Sequence, residues 1–211
     1  MKVYIVGEDP VTFSILKKVI RYCSREIVIL SELPARGGQI KSKIAEFNTL
    51  SAAYPVILLT DLDAVICAPE LVRQIVPFNK NENFIFNVAI DEAEAWLMAD
   101  IDGFASYFAI DAHEMPTSIM TKQGGRKKLP EMSFNYKSSM YLTHELIKKS
   151  KKLEFIQQFT PKQGAAKGPE YNSAIVPFIE NKWNIDVART NSDSLNRMIV
   201  RVNTLLTAYK Q

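Results

Sequence analysis

Four short runs of almost wholly apolar residues, each followed by a polar turn and a helix-patterned stretch, constrain this chain more than any other feature. They are Val3-Tyr4-Ile5-Val6, Ile27 to Leu30, Val56 to Leu59 and Phe84 to Ala89. A strand with one wet face alternates apolar and polar side chains, whereas one that is apolar throughout must be covered on both faces. Pro10 suits the first turn of a helix in which Ile15, Leu16, Val19 and Ile20 share a face while Lys17, Lys18 and Arg21 point outward. A second helix is expected from about Gln39 to Ala53, a short one near Pro69, one from Asp91 through Leu97 and one around Gly103 to Phe108. Strands separated by helices predict an α/β fold: a central parallel sheet of about four strands with helices on both faces.

The character changes after about residue 112. Pro116 to Tyr136 reads as a basic loop, followed by helices over Met140 to Ser150, Tyr171 to Asn181 and Ser192 to Tyr209. In the last of these, Leu195, Ile199, Val202 and Leu206 form an apolar stripe suited to packing on the sheet. The expected organisation is an α/β domain over 1–112 and a basic loop plus helical C-terminal region over 113–211 packed on it. Trp96 and Trp183 read as core or interface residues rather than base-stacking platforms.

Composition narrows the chemistry. Of 211 residues 47% are hydrophobic, enough for a sizeable core, and a net charge of +3 is too weak to establish a nucleic-acid partner. Cys23 and Cys67 form no CxxC pair and His113 and His144 no HxxxH pair, so a metal would be held by oxygen: Mg²⁺, Mn²⁺ or Ca²⁺ rather than Zn²⁺. The chain enters a strand at once with no signal-peptide run, and its longest apolar stretch, Ala52 to Leu59, cannot span a bilayer. A soluble, cytoplasmic protein without membrane association is the expectation.

In a parallel sheet the segments leaving each strand meet along one edge, where ligands bind. Here those segments are Glu8-Asp9, Ser31-Glu32 with the Arg36-Gly37-Gly38 loop, Asp61 with Asp63, and Asp91 to Glu94. Crowded carboxylates repel unless protonated or neutralised by a cation, and a divalent ion held by strand ends resolves the conflict. Glu8, Asp61 and Asp63 are therefore the candidate metal ligands. Asp91-x-x-Glu94 also fits a capping box, a purely local role.

Glutamate after the first strand and DxD after a later one resemble the Toprim arrangement of topoisomerases, primases and overcoming-lysogenization-defect-type nucleases. More narrowly, Glu92-Ala-Glu-Ala-Trp96 with Asp100, Lys167-Gly-Pro-Glu-Tyr-Asn172 and Ser192-Asp-Ser-Leu-Asn-Arg197 resemble an uncharacterised Toprim-like family, a domain of unknown function found beside ATPase genes in bacterial defence islands. Members of that family often read Glu-Gly where this chain reads Gly7-Glu8. The resemblance implies a Toprim/Rossmann-like sheet and a Mg²⁺- or Mn²⁺-dependent nuclease of antiviral defence, acting on DNA ahead of RNA, with an ATPase partner. It implies that Asp61 and Asp63 bind metal, that Glu8 is a further ligand or the general base, and that Glu94 or Glu92 completes a second metal site. The nucleic acid would then be received by Arg36, by the loop holding Lys122, Arg126 and Lys127, and by the loop holding Lys162 and Lys167.

Two other readings stay open. Asp61-Leu-Asp-Ala-Val65 satisfies the nucleophile pattern of haloacid-dehalogenase-like phosphatases, with Asp61 attacking phosphate, although that motif normally follows the first strand and here follows the third. Alternatively the chain is a non-catalytic regulatory or binding subunit of an ATPase complex. The sequence sets no oligomeric state, and a homodimer is compatible with it.

Overall fold

The computed structural model describes residues 1–35, 39–63, 67–122 and 128–210, apart from the side chain of Lys41. The first half runs β1 (Lys2–Gly7), α1 (Pro10–Cys23), β2 (Val28–Pro34), α2 (Gln39–Leu50), β3 (Val56–Asp61), α3 (Ala68–Ile75) and β4 (Phe84–Ala89). The short helices α4 (Ala93–Met98) and α5 (Ile101–Phe108) follow. The strands form one parallel sheet in the order β2-β1-β3-β4, the Rossmann-like α/β architecture that the almost wholly apolar runs require.

Local chemistry explains the start of the unit. Asp9 caps α1, its Oδ1 accepting from Thr12 N at 2.9 Å, and Pro10 fills the first turn where its missing N–H costs nothing. Along the strands, side chains then sort by parity. Val3, Ile5, Ile57, Leu59 and Ile85 join a buried cluster with α1, while Val6, Val56, Leu58, Phe86 and Val88 join another with α2 and α3. Over β1, β3 and β4 both faces are roofed, as continuous apolar strands demand, whereas the apolar run of β2 is not, with Val28 and Leu30 exposed.

The two sheet edges are handled differently. β2 is largely exposed, and Ser31 to Pro34, expected as a loop, continues this strand to Pro34, where Glu32 pairs with Lys17 at 2.5 Å. Proline and charge on an edge discourage further strand pairing. At the opposite edge, free carbonyls of β4 are met by cations: Lys80 Nζ donates to Phe84 O at 2.5 Å and Arg201 Nη1 to Phe86 O at 3.2 Å.

The remainder is β5 (Ser118–Lys122), β6 (Lys128–Met132), α6 (Ser138–Tyr141), α7 (Leu153–Phe159), α8 (Tyr171–Asn181), α9 (Ile185–Asn191) and α10 (Asp193–Tyr209). Within Pro116 to Tyr136, expected as loop, β5 and β6 pair antiparallel with Lys122 opposite Lys128. After α6 the chain continues as a π-helical turn over Leu142–Leu146 and a 3₁₀ turn over Ile147–Lys149, not as one regular helix. Helices α7 and α9 were not evident in the sequence because each has seven residues, too few for periodicity to emerge. α8 and α10 pack on α1, and Leu195, Ile199 and Val202 of the expected stripe are fully buried. Trp96 and Trp183 are core residues, at 0% and 3% exposure. One apolar cluster runs from Val3 to Leu205, so the C-terminal helices complete the core of the sheet.

The β5–β6 hairpin is tied to α10 by Glu131, which is 2% exposed. Its Oε1 accepts from Ser194 N at 2.5 Å, and its Oε2 accepts from the hydroxyls of Ser192 (2.8 Å) and Ser194 (3.0 Å). Burial outweighs these donors and lifts its pKa to about 7. A raised folded-state value means that the protonated form favours folding. This contribution is complete below pH 4.5 and is lost as pH rises through about 7. Glu131→Gln should flatten the decline of Tm with pH over that window, removing on the order of 3 kcal/mol of pH-dependent stability, as thermal unfolding at several pH values would show.

Candidate functional site

The order β2-β1-β3-β4 reverses direction between β1 and β3, which makes the crevice beyond their carboxyl ends the site-forming position of the sheet. Glu8 leaves β1 and Asp61 ends β3 on either side of it. Gly7 accounts for the acid's position. A Cβ there would lie 2.9 Å from Thr12 Cγ2, so the close approach of α1 requires glycine at 7 and the carboxylate follows at 8.

The exit of β4 is stitched to that of β3. Leu62 N donates to Ala89 O (3.0 Å) and Asp91 O (3.1 Å), and Asp63 N donates to Asp91 O (3.3 Å). Both turns use an aspartate in the left-handed region, Asp63 at φ 53 and Asp91 at φ 67. Aspartate tolerates this better than most side chains. Acids leaving three strands are thereby gathered beside one another.

Burial first, and mutual repulsion second, raise their proton affinities. Asp61 accepts from Ala93 N at 2.8 Å, yet burial foremost, then Glu94, Glu92 and Glu8, raise its pKa well above the usual carboxylate range. Glu8 is raised by burial and by Asp63 and Asp9, with the Thr60 hydroxyl at 3.5 Å opposing. Asp91 is raised chiefly by burial.

Two ammonium groups from the C-terminal half enter this cluster. Lys137 Nζ lies 2.6 Å from Asp63 Oδ1 and 3.6 Å from Glu92 Oε1. Beside it, Ser138 N donates to Asp91 Oδ1 (2.9 Å) and Ser139 N to Glu92 Oε2 (2.8 Å), so the first turn of α6 lies against the acids. Lys167 Nζ lies 2.8 Å from Glu94 Oε1, 3.5 Å from Asp9 Oδ2 and 4.5 Å from the centre of the Tyr171 ring. Tyr171 donates its hydroxyl to the same Glu94 oxygen at 2.8 Å. Gly168 seats this loop, since a Cβ there would fall 2.2 Å from Gln158 O.

The expected residues therefore divide into groups. Glu8, Asp61, Asp63, Glu92 and Glu94 share one edge and interact electrostatically. Lys167, expected to meet substrate, reaches Glu94 and Asp9. Lys122 and Lys162 are exposed, and their side chains have no hydrogen-bond or ion-pair partner among the described residues. Arg36, Arg126 and Lys127 lie outside the described residues. Lys137 and Tyr171 were not anticipated. Tyr171 lies inside the Lys167-to-Asn172 motif, but nothing near Lys137 in sequence announces its partners.

As a fit for a metal, the donors are all hard carboxylate oxygens of the kind Mg²⁺ prefers. Their present placement is another matter: among the described residues, no three His, Cys, Asp or Glu side chains form a group able to hold an ion. Asp63 is drawn to Lys137, and Glu94 to Lys167 and Tyr171.

Glu94 is 4% exposed. Glu94→Ala should therefore cost about 2 kcal/mol, chiefly by leaving the buried Tyr171 hydroxyl without its acceptor while Lys167 keeps Asp9, and Glu94→Gln clearly less; urea unfolding of the two variants provides the comparison. No family model, curated protein or solved structure matches this chain.

Proposed function

We propose that the acidic edge binds Mg²⁺ or Mn²⁺ and performs phosphoryl transfer, with phosphodiester cleavage of nucleic acid as the reaction and DNA ahead of RNA as substrate. The carrying observation is the crowding of Asp61 by Glu8, Glu92 and Glu94, acids from the exits of β1 and β4 that meet it at the switch point of the sheet. Carboxylates so placed gain more from a divalent cation than isolated ones do. The motif set resembling Toprim-like nucleases adds support.

In this reading Glu8, Asp61 and Asp63 hold the metal, and Glu92 or Glu94 serves a second position. The ion, when bound, supplies Lewis-acid stabilisation of phosphate charge and a more acidic water. Lys137 must release Asp63 for this to happen. Both side chains of that pair are about half exposed, at 49% and 57%, and exposed ion pairs are weak enough to exchange. The released ammonium group, together with Lys122, Lys128 and Lys162, is available to the polyanion. An ATPase partner that shifts α6 would couple its own state to this exchange.

A second reading draws on the same lysines. If Lys137 and Lys167 are permanent counter-ions, the edge is a binding surface and the chain is a non-catalytic subunit of an ATPase complex.

Plasmid and oligonucleotide cleavage with Mg²⁺, Mn²⁺ or EDTA, alone and with an ATPase partner, separates the two readings. Asp61→Asn, which mimics the neutral acid and can still accept from Ala93 N, should lose cleavage at least about a hundredfold with circular dichroism unchanged. Lys137→Ala should tighten Mn²⁺ binding about tenfold, equivalent to about 1.4 kcal/mol. Metal-independent behaviour of both variants would leave the binding-subunit reading.

A further inference from the structure

A cavity of ≈ 310 Å³ lies along the outer edge of β4, between α3 on one face of the sheet and α10 on the other. Its floor is apolar, with Pro69, Val72, Phe86 and Val88, and its polar wall holds Arg73, Arg197 and Arg201. No acidic side chain lines it among the described residues. We propose that this cavity is a binding site for a phosphate monoester carried on a body with an apolar face, that is, a nucleotide or the phosphorylated end of a nucleic-acid strand.

Three features carry the assignment. First, guanidinium groups reach one space from two elements packed on opposite faces of the sheet. Arg201 donates through Nη1 to Phe86 O and Asn87 Oδ1, both at 3.2 Å, which fixes its fork at the cavity wall, and it forms no ion pair with a carboxylate among the described residues. Arg197 pairs through Nε with Asp193 Oδ2 at 2.9 Å and through Nη2 with Glu131 Oε1 at 3.9 Å, and Arg73 Nη2 pairs with Glu70 Oε2 at 2.5 Å; each guanidinium carries further N–H donors beyond those in its pairs. Second, Arg197 and Arg201 stand four residues apart on α10, an unfavourable like-charge spacing on a helix that Asp193 offsets only in part. Burial and Arg197 together lower the basicity of Arg201, a strain that a bound anion relieves. Third, the shape is restrictive. A cavity of this size holds a small ligand and excludes a folded partner or a duplex. Guanidinium groups arriving from separate elements suit the three oxygens of a phosphate monoester better than the two of a planar carboxylate.

The Ser192-to-Arg197 motif, which the acidic edge leaves without a role, supplies one wall of this cavity. The inference does not depend on metal binding at Asp61.

The test is calorimetric titration in EDTA with four probes: inorganic phosphate, a nucleoside 5′-monophosphate, and a short oligonucleotide with either a 5′-phosphate or a 5′-hydroxyl. The phosphate-bearing probes should bind saturably and the 5′-hydroxyl strand should not. Arg197→Gln and Arg201→Gln should each weaken binding about tenfold or more, Arg73→Gln less, and Asp61→Asn not at all. Preference for the mononucleotide or for the phosphorylated strand identifies the source of the phosphate, and either outcome supports the site. Absence of saturable binding by every phosphate-bearing probe overturns it, as does equal binding of the 5′-hydroxyl strand. So does unchanged affinity in Arg197→Gln, which leaves the bonds of Arg201 to β4 in place. An acidic peptide that binds where phosphate does not would also overturn it.

Discussion

Covering both faces of the β2-β1-β3-β4 sheet is the requirement around which the remainder of the molecule is arranged. The helices of the first 112 residues roof one face with α2 and α3 but cover the other only in part, through α1 and the short α4 and α5. α8 and α10 finish that face, and their fully buried Phe178, Leu195, Ile199 and Val202 belong to the same cluster as Val3 and Ile5. Apolar burial is non-directional and scales with area, so the demand for cover draws the distant C-terminal segments onto the sheet. They bring their polar groups with them.

That delivery shapes the acidic edge. A parallel sheet sends its strand exits to one side, and this chain places a carboxylate at three of them. Left alone, the group would be costly. Here the repulsion is met in two ways: Asp61 and Glu8 hold protons more tightly than free carboxyls do, and Lys137 and Lys167 stand beside Asp63, Glu92, Glu94 and Asp9. The two lysines are not equivalent. Lys167, itself partly exposed, is held against the buried Tyr171 and Glu94, while Lys137 sits on an exposed pair at the start of α6. An edge with one fixed and one exchangeable cation is suited to a ligand that alters its charge.

Much of this was readable from the chain. The β1, β3 and β4 runs, α1, α8 and the stripe of α10 are legible, because strands covered on both faces read as near-continuous apolar runs and amphipathic helices repeat every 3.6 residues. Glu8, Asp61, Asp63, Glu92 and Glu94 could be assigned to one edge because strand direction alone puts them there. Short elements were less visible. The seven-residue helices α7 and α9 span two turns, and the five-residue strands of the β5–β6 hairpin, one holding Pro130, mix polar and apolar side chains without a clear alternation.

What the sequence determined by itself is the architecture and the edge on which the acids gather, since both follow from local periodicity and from the common direction of parallel strands. Only the tertiary structure decided how those acids are compensated and what else the fold encloses. Lys137 and Asp63 are 74 positions apart, Lys167 and Glu94 73. The Arg73–Arg197–Arg201 cavity likewise unites α3 and α10 across a sheet edge. Contacts of that kind depend on side-chain reach once the core has closed, and no period in the chain encodes them.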